Sequence, residues 1–145
     1  MPTVIEKVLF LQNVDVFGEV PTEQLSHLAA IAQAVSVAAG QRVYQQSDPS
    51  DALYIVMTGK IELQQGDKPV VALEPEESFG IWALFDIQPR MFTAVAAEPS
   101  ELLRIDREDF VDLLSDHVSI SQAVIQRLAA KLRGLAERVA SAGPV

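Results

Sequence analysis

The sequence predicts one domain of the α+β class, mainly β, in which helices flank a small antiparallel barrel. Three observations carry that expectation. Apolar residues recur at helical spacing before Gly40. Beyond it, short β-like runs are cut by turn formers. From Asp106 onward helical spacing returns.

Taken in order, Val4, Ile5, Val8, Leu9 and Leu11 lie on one broad helical face. Pro21 and Thr22 can open a second helix, with Glu23 favouring its positive end. Leu25, Leu28, Ala29, Ala32 and Val35 repeat at three and four, so this helix is expected to run through Val35. Then come β-like runs at Val43–Tyr44, Ala52–Met57, Ile61–Gln65 and Pro69–Leu73. Asp48-Pro49, Thr58-Gly59, Gly66-Asp67 and Glu74-Pro75 punctuate them. Two more strands, Phe92–Ala97 and Leu102–Ile105, would close a barrel or sandwich. Asp106 is placed to cap the next helix, whose apolar side is Phe110, Leu113 and Leu114. In the last helix Val118, Ile125, Leu128, Leu132, Leu135 and Val139 form a heptad seam.

Composition narrows the function classes. A length of 145 residues suits one domain, and 49% apolar with 21% charged residues is a globular balance. Apolar runs stay far below the roughly 20 residues a membrane helix needs, and the first residues do not read as a secretory signal. Zero cysteines removes disulfides and thiolate metal sites and fits a cytoplasmic setting. A net charge of −9 disfavours nucleic acid as a partner of this chain alone, yet leaves room for one small anion held at short range.

Such a site is offered by Phe79–Val95, FGIWALFDIQPRMFTAV, where a glycine precedes an apolar helical turn and Arg90 follows ten residues later. Backbone N–H groups at a helix N-terminus attract an anion, and a guanidinium fork suits two phosphate oxygens.

This stretch resembles the phosphate-binding cassette of cyclic-nucleotide-binding domains, matching at Phe79, Gly80, Ala83, Leu84, Pro89, Arg90 and Thr93. The segment from Gly40 to Gly59 is similar to that family's first strands and hairpin, and the likeness extends from Val4 to about Leu114. The resemblance implies a jelly-roll-like antiparallel β-roll as a single domain over residues 1–145. N-terminal helices would occupy 1–36, the roll 37–106 with its cassette at 79–93, and C-terminal helices 107–140. It implies a ligand site at Gly80, Ile81, Trp82, Ala83, Arg90, Met91 and Phe92, for a cyclic nucleotide or another small anion, with no cofactor or metal. Ile81 stands where the family has the glutamate that accepts from the ribose hydroxyl, and Met91 and Phe92 replace small residues. These departures imply a kept phosphate side, a lost sugar side, and a pocket partly filled by the chain's own side chains.

Other residues invite blander readings. His27 and His117 are ninety residues apart with no ligand-like spacing, so they do not argue for metal. Glu74, Glu76 and Glu77 read as a solvated turn, and Trp82 as packing. No Ser-His-Asp set, HExxH helix or GxxxxGK loop gives a reason for catalysis. The expectation is a non-enzymatic regulatory or sensor module, a homodimer through its last helix, with weak or altered ligand binding. Two alternatives stand beside it. One is a ligand-free docking or dimerisation module of a larger protein, in the manner of domains appended to membrane transporters. The other is a cyclic AMP or cyclic GMP receptor with a non-standard ribose contact.

Overall fold

The computed structural model describes residues 2–80 and 88–142. Helix α1, Val4–Leu11, starts at a capping box: Glu6 N–H donates to Thr3 Oγ1 at 3.1 Å, and the Glu6 carboxylate accepts from the Thr3 backbone. Only Leu11 of this helix is buried, leaving Val4, Ile5 and Leu9 exposed. A 3-10 turn, Asp15–Phe17, leads to α2, Thr22–Ile31.

The expected continuation of α2 through Val35 is corrected. The helix ends at Ile31, and Ala32–Val37 is strand β1, so strand structure begins ahead of residue 37. Spacing at three and four fits Ala32 and Val35, but a complete antiparallel ladder decides otherwise. β1 pairs with β8 from Ala32↔Ile105 to Val37↔Ser100. Tertiary pairing of this kind overrides a weak local helical preference.

The remaining strands are β2 Arg42–Tyr44, β3 Ala52–Thr58, β4 Ile61–Gln65, β5 Lys68–Leu73, β6 Ser78–Phe79, β7 Thr93–Ala96 and β8 Ser100–Asp106. They form two four-stranded antiparallel sheets, β1-β8-β3-β6 and β2-β7-β4-β5. Between the sheets lies one core, in which Tyr54, Val56, Phe79 and Leu102 of the first sheet meet Ile61, Leu73, Ala94 and Ala96 of the second. The outer face of the first sheet carries another core: Leu53, Ile55, Leu103 and Ile105 pack against helical residues including Phe17, Leu25, Leu28 and Phe110. Strand β3 therefore serves both, which is why ALYIVM is an unbroken apolar run instead of an alternating one. At the β3–β4 turn Gly59 has φ of +93°, and an added Cβ would collide with Pro99 O and Ser100 Oγ; no other residue fits there.

Helix α3, Arg107–Asp116, follows β8 directly. Asp106 stands at its N-cap, but its carboxylate accepts from Arg104 Nε at 2.7 Å and makes no cap, correcting the expected role. Helix α4, Val118–Ala142, has two faces. Ile120, Ala123 and Val124 are buried and Leu128 is half-buried against the helical core. Val118, Ile125, Leu132, Leu135 and Val139 are between 52% and 73% exposed, so most of the predicted seam is not used within the chain. Asp15 clamps α4 from the other side, ion-paired to Arg127 and, at 2.5 Å, to Lys131. His27 of α2 stacks on His117 at the α3–α4 junction, ring centroids 4.0 Å apart. Among the described residues no helix is long and apolar enough to cross a membrane, and no group of three or more His, Cys, Asp or Glu could hold a metal ion.

Candidate functional site

The site is built where the chain's corner at Gln45–Asp48 meets the end of the cassette. Gln45 N–H donates to Asp48 Oδ2 at 2.9 Å, closing the corner, and Ser47 sits at φ of +76°. Arg90 is gripped by that corner through its backbone: Ser47 N–H donates to Arg90 O at 2.9 Å and Arg90 N–H to Asp48 O at 2.8 Å. Thr93 Oγ1 adds an acceptor for Gln46 N–H at 2.9 Å. With its main chain fixed on both sides, Arg90 has few directions in which to extend.

It extends inward. Arg90 is only 5% exposed, unusual for a side chain of permanent charge. Nη2 donates to Ala52 O at 2.8 Å and Nη1 makes a long contact of 3.5 Å to Gly80 O. The guanidinium carbon lies 4.0 Å from the Tyr44 ring centroid, a cation–π placement, and Asp51 Oδ1 is 3.5 Å from Nη2. Nε is buried and has no hydrogen-bond partner among the described residues. Closed to solvent as it is, this unpaired donor costs the fold about 1–3 kcal/mol. Gly80, at φ of +77°, has no room for a Cβ, which would collide with Arg90 Nη1.

Beside Arg90 opens a cavity of about 420 Å³, within the 300–1,000 Å³ typical of small-molecule sites. Its described lining comprises Tyr44, Ser50, Leu63, Ser78, Phe79, Gly80, Gln88, Pro89, Arg90, Met91 and Phe92. Of the predicted ligand residues, Gly80, Arg90, Met91 and Phe92 thus converge on one cavity; Ile81, Trp82 and Ala83 lie outside the described residues. Met91 lines this cavity and is 59% exposed.

Three neighbours of Arg90 were invisible to motif reasoning: Tyr44, Asp51 and the Ala52 carbonyl. The two last are 38 or more residues away in sequence, and no spacing rule links them to a Pro-Arg pair. Burial pushes the Tyr44 hydroxyl up to about 12, against the opposing pull of the Arg90 charge. Burial likewise raises Tyr54. Asp51 also lies 3.5 Å from Arg104 Nη2, and Arg104 in turn donates to Tyr54 Oη at 2.8 Å and to Asp106 at 2.7 Å. A chain of polar contacts therefore runs from the cavity to the start of α3.

The comparisons with known proteins bear on the fold and the family. The family model "cyclic nucleotide-binding domain" matches residues 34–117, from β1 to the end of α3. A CRP-like cAMP-activated global transcriptional regulator of Mycobacterium tuberculosis is 25% identical over 128 residues, covering 85% of this chain and 57% of that protein. The chain thus spans little more than half of that relative's length. A lysophospholipase nte1 of Aspergillus fumigatus is 33% identical over 119 residues, covering 79% of this chain and 8% of the enzyme. Among solved structures, the N-terminal domain of a transcriptional regulator from Streptomyces coelicolor A3(2) superposes with a TM-score of 0.80 at 28% identity, covering 87% of this chain and 94% of that one. By family match and shared fold, the chain belongs to the cyclic nucleotide-binding domain family.

Proposed function

We propose that the chain is a non-enzymatic regulatory or sensor module whose cavity beside Arg90 receives a small anion. The observation that carries this reading is a 5%-exposed arginine on the wall of a cavity of small-molecule size. An anion beside the guanidinium would gain charge-assisted attraction, and the polar chain through Asp51 and Arg104 would report its arrival to the helices. Cyclic AMP and cyclic GMP are expected to bind weakly, because Ile81 offers the ribose hydroxyl no acceptor. Calorimetry with both nucleotides tests this. Sub-micromolar affinity that vanishes in Arg90→Ala would restore the alternative of a full nucleotide receptor.

A docking or dimerisation role is favoured by a separate observation. Val118, Ile125, Leu132 and Val139 recur every seventh residue along α4 and all are exposed. A second copy of the chain is the occupant that fits a heptad stripe. In a parallel pair the seam would be flanked by Ala129 and Ala136, leaving Lys131 without an opposing like charge. A larger protein, a membrane partner included, would then supply the output in a cytoplasmic setting. Sedimentation decides: a clean monomer would count against the pairing.

A further inference from the structure

We infer that the groove on α4 beyond Asp15 docks a partner polypeptide through a short acidic-aromatic segment, an Asp or Glu followed two residues on by an aromatic side chain. The inference is independent of the cavity beside Arg90, and it concerns a different face of α4 from the Val118–Val139 stripe. A hollow of about 400 Å³ runs along the helix here, with Asp15 at one end and Arg127, Lys131, Gly134, Leu135 and Arg138 along it. Its described lining carries three cations against one carboxylate, in a chain whose net charge is −9. A negatively charged segment is what such a surface attracts at short range.

The chain itself shows what seats on this surface. In the 3-10 turn Asp15–Phe17, Asp15 pairs with Arg127 and Lys131, while Val16 and Phe17 are buried in the core against which Leu128 packs. Seven residues on, about two turns and about 10.5 Å along the axis, α4 presents nearly the same face again. There Leu135 stands for Leu128, Arg138 for Lys131 and Gly134 for Arg127. The first set is covered and the second is bare: Leu135 is 52% exposed, and Arg138 has no ion pair among the described residues. Gly134 fits the same reading. A glycine within a helix destabilises it relative to alanine, and nothing in the chain lies within 4 Å of the Cβ it lacks, so no internal packing calls for it. Its bare backbone lets an incoming chain approach closely. A second copy cannot offer its own Asp15–Phe17 turn, because Val16 and Phe17 are 1% exposed; the occupant is another polypeptide.

The experiment titrates the nitrogen-15-labelled full chain, followed by its amide resonances, with the end-blocked heptapeptide NVDVFGE, the sequence of residues 13–19. Expected are saturable shifts centred on Gly134–Arg138. Replacing the peptide's Asp by Asn should weaken binding about two- to fivefold, and replacing its Phe by Ala about tenfold. Arg138→Glu should weaken it by about fivefold or more, since attraction becomes repulsion. Arg133→Glu, on the far side of the helix, should change it by less than about twofold. Both arginines are exposed, so neither substitution threatens the fold. Unchanged binding in Arg138→Glu overturns the inference. Shifts centred on Arg127 and Leu128 overturn it too, because the peptide would then be displacing the chain's own turn. Equally tight binding of tetraglutamate, or sedimentation with vesicles of phosphatidylserine and phosphatidylcholine, reduces the face to a basic patch with no reading of the aromatic residue and overturns it. No shift with any peptide also overturns it, and leaves the reading of the Arg90 cavity standing.

Discussion

The Arg90 guanidinium lies over the Tyr44 ring at 4.0 Å, while the same side chain ties the start of β3 to Gly80. One cation thus joins β2, β3 and the cassette, with the Tyr44 ring as its aromatic seat. The consequences can be measured separately.

Alkaline stability reads the Tyr44 environment. Its folded-state value, raised by burial to about 12 from the ordinary 10.0, means that the folded chain keeps a proton the unfolded chain releases. Stability is therefore complete below pH 10 and falls between about 10 and 12, by on the order of 2 kcal/mol. Denaturant titrations at pH 9 and pH 11.5 should show that drop, and Tyr44→Phe should reduce it.

Gly80→Ala tests the close approach of backbone and arginine. The substitution places a side chain at a positive φ, costing about 1 kcal/mol or more, and pushes Arg90 off its seat. Lowered thermal stability together with loss of anion binding is expected. A binding-competent, equally stable variant would show that the arginine has other room.

Acid should loosen α4. The Lys131 hydrogen bond, with Arg127 assisting, holds the Asp15 carboxyl below its ordinary 3.8 despite some opposing burial. A depressed value stabilises above the unfolded pKa and is lost as pH falls through the folded one, so the clamp weakens below about pH 4. Asp15 is half exposed, which limits the effect to less than about 1 kcal/mol. Amide exchange along Arg127–Leu135 at neutral pH should accelerate in Asp15→Asn.

Leu132→Lys with Val139→Lys tests the helix stripe. Both residues are exposed, at 68% and 73%, so monomer stability should move by no more than about 0.5 kcal/mol. Sedimentation should report a dimer for the unaltered chain and a monomer for the double variant. Leu128 is a poorer probe, because it packs against the helical core.

Legibility followed the range of the interactions involved. The β3–β4 hairpin and the Gly80–Arg90 spacing rest on neighbours in sequence, and turn chemistry announces them. Strand β1 escaped because its identity depends on β8, some seventy residues on, while Ala32 and Val35 satisfy a helical stripe equally well. Tyr44 and Asp51 escaped for the same reason: each meets Arg90 only through the folding of the corner at Gln45–Asp48. Asp106 was read as a cap on its position alone, and its bond to Arg104 reflects a competitor two residues away on β8.

The clamp at Asp15 divides α4 mechanically. Up to Lys131 the helix is anchored; the eleven residues Leu132–Ala142 project as a cantilever. Continuous with an anchored helix, the arm needs no new nucleus, and fraying from its free end is what limits its coil. A second copy seated on its apolar edge would therefore damp that fraying as well as pair with it.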